Sequence, residues 1–225
     1  MARPVKTEHG KGNVEWTKQQ LINAAAEQFS KLGFQGASLS KIREKVGVKN
    51  STIVYHFKSK EGLYLAVTEH LEKSFAKMIN DLVEQHADEP AIERFYQFCY
   101  TLQQWGSNQQ YFTSIAIQEM MNRELHSANS MFYQNFGRRL NQTIEFIKGH
   151  DGAETWTKVN WKIFIVNVFL SILIGQAVSV AIPIALQIDE PTYKQQHINE
   201  VFRSQLLALV KDKHTAEQYL ELKLS

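Results

Sequence analysis

Between Val46 and Val67 the chain reads VGVKNSTIVYHFKSKEGLYLAV, and Tyr55, His56, Lys58 and Lys60 crowd into six consecutive residues. A phenol, an imidazole and two ammonium groups set this close are equipped to hold a polyanion. Lysine and imidazolium meet phosphate, and the phenol hydroxyl donates to it. Lys49, Asn50 and Ser51 come just before them and are residue types that reach base edges, while Val54 suits a thymine methyl. On a helical wheel of ~100° per residue, Ile53 and Phe57 point one way and Tyr55 and Ser51 nearly the other, with Lys58 beside them. Val54, Thr52 and His56 fall on the flanks. The aromatic, hydroxyl and cationic groups therefore share an outward face, which suits a DNA surface; a helical hairpin with these groups simply exposed is the plainer alternative.

Positioning that face requires short helices around it. A helix over about Ser38 to Val46, with Ser38 as cap and Leu39, Ile42 and Val46 inward, meets a tight Gly47-Val48 turn. The helix carrying the face follows over about Asn50 to Phe57, and the pair makes a helix-turn-helix. Before it, Thr17 and Gln20 read as a T-x-x-Q capping box, with Trp16 stapled onto Leu21. Leu21, Ala25, Phe29 and Leu32 then form a stripe, and Gly33 ends the helix. Ser59 caps a longer fourth helix with Leu63, Val67, Leu71, Phe75, Met78 and Leu82 inward. After Asp88-Glu89-Pro90, helices are expected at about 91–105, 109–125, 128–148, 155–186 and 192–212, with a short amphipathic tail at 215–224. No long alternating strand pattern appears, so the fold class is all-α.

Charge divides along the same line. Residues 1–60 hold 11 Lys and Arg against 4 Asp and Glu; residues 61–225 hold 14 against 19. A basic first quarter on an acidic remainder suggests a polyanion-binding module on a neutral or acidic body. Cys99 is the single cysteine, so no intrachain disulfide forms and a reducing cytoplasm is the natural setting. Flanked by aromatics, it reads as an inert apolar residue more readily than as an oxidant sensor. The first 16 residues carry no apolar run of the kind a signal peptide needs. The histidines show no metal spacing, and no catalytic motif stands out, so neither a metal, a cofactor nor an enzyme is expected.

LSKIREKVGVKNSTIVYHFKSKEGL, with LINAAAEQFSKLGFQGAS before it, resembles the N-terminal domain of TetR-family transcriptional regulators. Ile42, Gly47, Val48, Ile53, His56, Phe57, Lys60 and Leu63 sit where that family's pattern wants them. Arg43, Lys49 and Val54 depart from it. The resemblance covers about residues 17–67 and implies three parts. These are a flexible basic arm at 1–15, a three-helix DNA-binding domain at 16–60, and a larger helical ligand-binding and dimerisation domain at 61–225. It implies a cytoplasmic homodimeric repressor that binds a short inverted-repeat DNA operator and is released by a small-molecule ligand, with the fourth helix as lever.

On both readings Ser38, Thr52, Tyr55, His56 and Lys60 are the expected phosphate contacts, and Lys49, Asn50, Ser51 and Val54 the expected base contacts. Ser40 is a weaker candidate. Arg3, Lys6 and Lys11 either enter a minor groove or belong to a disordered tail. Residues 163–186 run 24 positions without a charge. A dimer face and an intrachain core both account for them, and their length alone also suffices for a bilayer. The four-residue spacing of Ser171, Gly175 and Ser179 lets helices approach closely. With Val201 and Phe202 from the 192–212 helix, they are the expected dimer interface. The middle helices should enclose a pocket, for which Phe98, Trp105, Phe112, Glu119, Met120, Arg123, Phe136, Asn167 and Gln176 are the candidates, each also explicable as core.

Overall fold

The computed structural model describes residues 10–109, 111–121, 131–179 and 181–224. Among these residues the chain is helical, and the one extended pairing is an isolated bridge between Trp156 and Val210. It divides into two units, one ending at Leu71 and one beginning at Glu72.

The first unit holds α1 (Gly10–Gly36), α2 (Leu39–Val46), α3 (Asn50–Phe57) and the start of α4 (Lys60–His86). Leu21, Ala25, Phe29, Ile42, Ile53, Phe57, Leu63 and Val67 form its core, all under a tenth exposed. Gly33 interrupts α1 with φ 66 and ψ 176, a backbone that a side chain would strain. Phe34 then faces Tyr64 with ring centroids 5.2 Å apart, and Tyr64 meets Phe29 edge-on at 4.9 Å. Leu32, expected in the inner stripe, is instead 48% exposed, because it lies in the last residues before this kink. Gly47 turns α2 into α3 in the left-handed region, at φ 75 and ψ 33.

The start of α1 corrects the sequence reading. The helix begins at Gly10, so Thr17 lies inside it rather than at its N-cap, and Trp16 is exposed rather than stapled to Leu21. Once the packed turns around Leu21 and Phe29 exist, extending the helix needs no new nucleus. Residues 10–15 of the expected arm are thus helical; Arg3 and Lys6 lie outside the described residues.

Among the described residues the second unit contains the rest of α4 and eight further helices: α5 (Ala91–Asn108), α6 (Phe112–Met121), α7 (Met131–Lys148), α8 (Gly152–Thr155), α9 (Trp161–Ala177), α10 (Ala181–Leu186), α11 (Glu190–Leu209) and α12 (Lys213–Leu224). At its centre α5 touches α7, α9 and α11, and α9 also touches α6, α7 and α11. Arg94 of α5 is fully buried. It donates to Lys148 O at 3.1 Å and to Asp151 Oδ1 at 2.5 Å, so a guanidinium satisfies the carbonyls ending α7 and neutralises its own charge.

The single helix expected over 155–186 is two, α9 and α10. Asn160 starts α9 by accepting from Ile163 N at 3.4 Å, and the chain breaks again after Ala177. Pro183 sits within α10, and Gln187 turns the chain with φ 58. No helix of the described residues is long and apolar enough to cross a membrane.

Candidate nucleic-acid interface

The two faces of α3 are sharply separated. Ile53 and Phe57 are 1% and 6% exposed, while Tyr55 and Val54 are 69% and 47% exposed. Lys49, Asn50 and Ser51 are exposed, and Thr52 and His56 lie half-buried on the flanks. The eight residues are helical because Ile53 and Phe57 bury one stripe, since isolated helices this short are not stable in water. The outward stripe is therefore free to carry groups chosen for another surface. The Tyr55 ring meets the His56 ring edge-on at 5.0 Å, so each limits the other's motion. Ser38 occupies the N-cap position of α2 yet its side chain makes no cap bond, which leaves its hydroxyl for an outside acceptor.

The basic residues of this unit fall into two groups. Lys31 and Lys45 both bind Glu27, joining α1 to α2. Hydrogen bonds from Lys45 and then Lys31 hold the Glu27 carboxyl down to about 2. Lys60, an expected phosphate contact, is also engaged: its Nζ donates to Gln35 O at 3.1 Å and lies 5.0 Å from the centroid of the Phe34 ring. Lys41 and Lys49 are exposed, and among the described residues neither pairs with a carboxylate. Lys41 was not among the sequence candidates. Its position beside Ser40 on the outer side of α2 was the available signal.

The joint between α3 and α4 is tight. Ser59 N donates to Phe57 O at 2.8 Å, and Lys58 between them has φ 67 and ψ −48, a γ-turn of the strained hand. Ser59 Oγ then accepts from Gly62 N at 3.1 Å, the cap expected for α4. A Cβ on Gly62 would stand 1.9 Å from Phe57 O, so only glycine fits. Sequence reasoning saw Gly62 as part of a run without this cause.

In the second unit the structure gathers some pocket candidates and separates others. Trp105 and Phe136 join Phe75 and Phe169 in one aromatic cluster, with Phe136 and Phe169 centroids 5.1 Å apart. Trp105 Nε1 donates to Ser74 Oγ at 3.1 Å and lines an open groove of about 380 Å³ along α4 and α5. Gln176 donates to Gln103 O at 2.8 Å and accepts from Thr113 Oγ1 at 3.2 Å, cross-linking α9 to α5 and α6. Glu119 is 4% exposed and Phe98 is 1% exposed, both within the core. Asn167 is exposed on α9, which removes it from any interior pocket. Arg123 and the side chains of Phe112 and Met120 lie outside the described residues.

The expected dimer residues also need correction. Gly175, Ser179, Val201 and Phe202 are buried within one chain. A Cβ on Gly175 would stand 2.0 Å from His197 Nε2, so the small residue admits α11 of the same chain rather than a second copy. Phe202 packs against Phe95, Tyr96 and Tyr219. Ser171 is half-buried, its carbonyl 2.9 Å from His197 Nε2. The side of α9 left open carries Ile163 and Ile174, 60% and 54% exposed, and α10 adds Ile184 and Leu186 at 75% and 61%. Cys99 is fully buried, and burial pushes its thiol well above the usual range, which leaves no reactive thiolate.

Residues 21–67 match the model of the bacterial regulatory proteins of the tetR family. The chain is 31% identical over 83 residues to IcaR of Staphylococcus epidermidis, a biofilm operon HTH-type negative transcriptional regulator, covering 37% of this chain and 43% of that one. It is 33% identical over 78 residues to the HTH-type transcriptional regulator RutR of Escherichia coli, covering 35% and 37%. The match to NicS of Pseudomonas putida, an HTH-type transcriptional repressor, is 30% over 118 residues, covering 51% and 53%. The chain thus spans about two fifths of the length of IcaR and RutR. A solved structure of a putative tetR family transcription regulator from Shewanella sp. PV-4 has the same fold, with TM-score 0.66 and 19% identity over 87% of this chain and 99% of that one. The hemolysin II regulator HlyIIR matches with TM-score 0.62 and 15% identity, over 88% and 99%. The helix-turn-helix of this chain thus matches the model of the tetR family, and its fold is that of solved tetR-family regulators.

Proposed function

We propose that the chain is a cytoplasmic transcriptional repressor that binds a short inverted-repeat DNA operator as a homodimer and releases it when a small molecule binds the second unit. The observation that carries this reading is the division of α3, with Ile53 and Phe57 inward and Tyr55, Ser51 and Lys49 outward. Ser38, Thr52, Tyr55, His56 and Lys60 hold phosphate and set register; Lys49, Asn50, Ser51 and Val54 meet base edges. Lys41 adds a phosphate contact from α2. IcaR and NicS, named as a negative regulator and a repressor, support the sign of regulation.

Two reading heads on successive major grooves add their free energies, which is why a two-fold dimer fits the chemistry. The open apolar side of α9, with Ile163 and Ile174, is the surface for that pairing. The aromatic cluster around Trp105 and Phe136, with Gln176 beside it, is the place for a ligand. For release, the ligand must prefer the DNA-incompetent state, and couplings of ~1–3 kcal/mol are typical.

Genomic footprinting with the full chain tests the reading. An inverted repeat upstream of a few genes is the expected result, and exchange of Asn50 or Ser51 alters the selected bases. Uniform, sequence-independent protection overturns it.

A further inference from the structure

We propose that the second unit holds a site for a small organic cation, an amine on an apolar body, in the cavity between the start of α5, α8 and the turn from α11 into α12. The proposal is independent of the DNA-binding reading above. The cavity has a volume of about 480 Å³, within the range of small-molecule sites. Ile92 lines it, and Trp105 stands ~20 Å further along α5 at ~1.5 Å per residue. It is therefore separate from the aromatic cluster to which the released ligand was assigned. Pro90, Ala91, Ile92, Val210 and the Tyr219 ring make its apolar wall.

The charged groups around this wall are all of one sign. Glu89, Glu93, Asp151, Glu154 and Asp212 line the cavity, and no lysine or arginine does. Three of these carboxylates are already committed to the chain. Glu93 accepts from the Tyr219 hydroxyl and from Lys223 Nζ at 3.0 Å. Asp151 accepts from Ala91 N at 2.8 Å and from Arg94, and Asp212 from Thr215 Oγ1 at 2.6 Å. These bonds build the walls and hold α12 against α5. Glu89 and Glu154 are left for a ligand. Glu154 is exposed, and among the described residues it pairs with no cation. Glu89 meets His86 Nδ1 through Oε1 at 3.0 Å, while its buried Oε2 has no hydrogen-bond partner. A buried carboxylate oxygen without a donor is an unmet demand. A ligand ammonium supplies both the donor and the balancing charge, and its apolar body covers Ile92 and Val210. No grouping of the described residues suits a metal ion, and the apolar wall lacks the oxygens a hard cation needs, so the geometry favours an organic one.

The test uses the full-length protein without DNA, at neutral pH and fixed ionic strength. Phenethylamine is the probe, and phenethyl alcohol is its uncharged counterpart. Calorimetric titration follows binding, and circular dichroism follows the fold. We expect the amine to saturate a single site per chain and the alcohol to bind at least ~10-fold more weakly, because hydrogen bonds between charged groups are the stronger ones. Glu89→Gln and Glu154→Gln should each weaken the amine by roughly three- to tenfold. Glu221→Gln, on α12 but outside the cavity, should leave its binding unchanged. Glu154 is exposed, so Glu154→Gln keeps the test decisive if Glu89→Gln disturbs the fold. The proposal is overturned if the amine does not saturate, if the alcohol binds as tightly, or if neither cavity variant weakens the amine. Equal weakening by Glu221→Gln would trace the attraction to overall charge and overturn it as well.

Discussion

Helices α3 and α9 leave very different surfaces uncovered. The open side of α3 presents a tyrosine, a lysine, an amide and a hydroxyl; the open side of α9 presents two isoleucines, Ile163 and Ile174, with Asn167 between them. The inner sides are alike, each filled with apolar residues that hold the helix in place. A buried face says how a helix is anchored, whereas the exposed face says what it meets. Polar and cationic groups on α3 lose little in water and gain by meeting phosphate. Exposed isoleucines on α9 gain chiefly by meeting another apolar surface.

The comparison breaks most severely if the inner face of α3 is not its anchor. Phe57→Ala should cost the first unit about 3–5 kcal/mol, read from the denaturant midpoint, and DNA binding should go with it. A near-neutral result would mean that something else seats the helix. The outer face of α9 is tested by Ile174→Glu. A carboxylate buried unpaired in an apolar contact costs at least ~2 kcal/mol, so sedimentation should show the proposed dimer of the wild type dissociated in the variant. An undisturbed dimer would put the contact elsewhere.

Smaller changes sharpen the contrast on α3. Tyr55→Phe removes one hydroxyl and should weaken DNA binding by ~1–2 kcal/mol with no shift in melting, whereas Lys41→Ala on neighbouring α2 should flatten the salt slope by ~0.9 per head. The smallest effect concerns Glu93, inside the second unit. Burial pushes its carboxyl up, but hydrogen bonds from Tyr219, Lys223 and Gln97 outweigh this and leave it below the ordinary value. The stability it contributes is present above the ordinary carboxylate pKa of about 4.5 and is lost as pH falls through the lower folded value. Glu93→Gln should therefore flatten the acid limb of a Tm-against-pH curve, and a curve superimposing on the wild type would show that the contacts of α12 carry no charge dependence.

The same two helices show what the sequence disclosed. The bounds of α3 and its inward pair could be read directly, because a glycine turn, a short apolar period and polar intervals fix the phase. The six inward residues of α4 were legible for the same reason, and all are buried. Along α9 the phase was lost: with apolar residues on every side, no interval distinguishes the face toward α11 from the face toward solvent. Gly175 and Ser179 were therefore assigned to a partner when they pack inside the chain. Asn160 went unnoticed as a helix start because the uncharged run after it dominated the reading. At the interface, the residue types on α3 were visible in the sequence, but the commitment of Lys60 to Gln35 was not. It joins positions 25 residues apart, and no local pattern encodes it.

On the proposed reading of a dimer on an inverted repeat, the joint at Lys58 has a bearing on operator architecture. A reading helix seated by Ile53 and Phe57 and fixed at its C-terminal end cannot swivel to follow a displaced half-site; it arrives as one piece with its whole head. Adding one base pair between half-sites turns one of them by ~35° about the duplex axis, since a turn takes 10–10.5 bp. With no slack in the joint, that rotation must be absorbed by twisting the duplex or by reorienting an entire subunit. Spacing should accordingly be policed as strictly as base identity, and a series of operators differing only in central length would display a single narrow optimum.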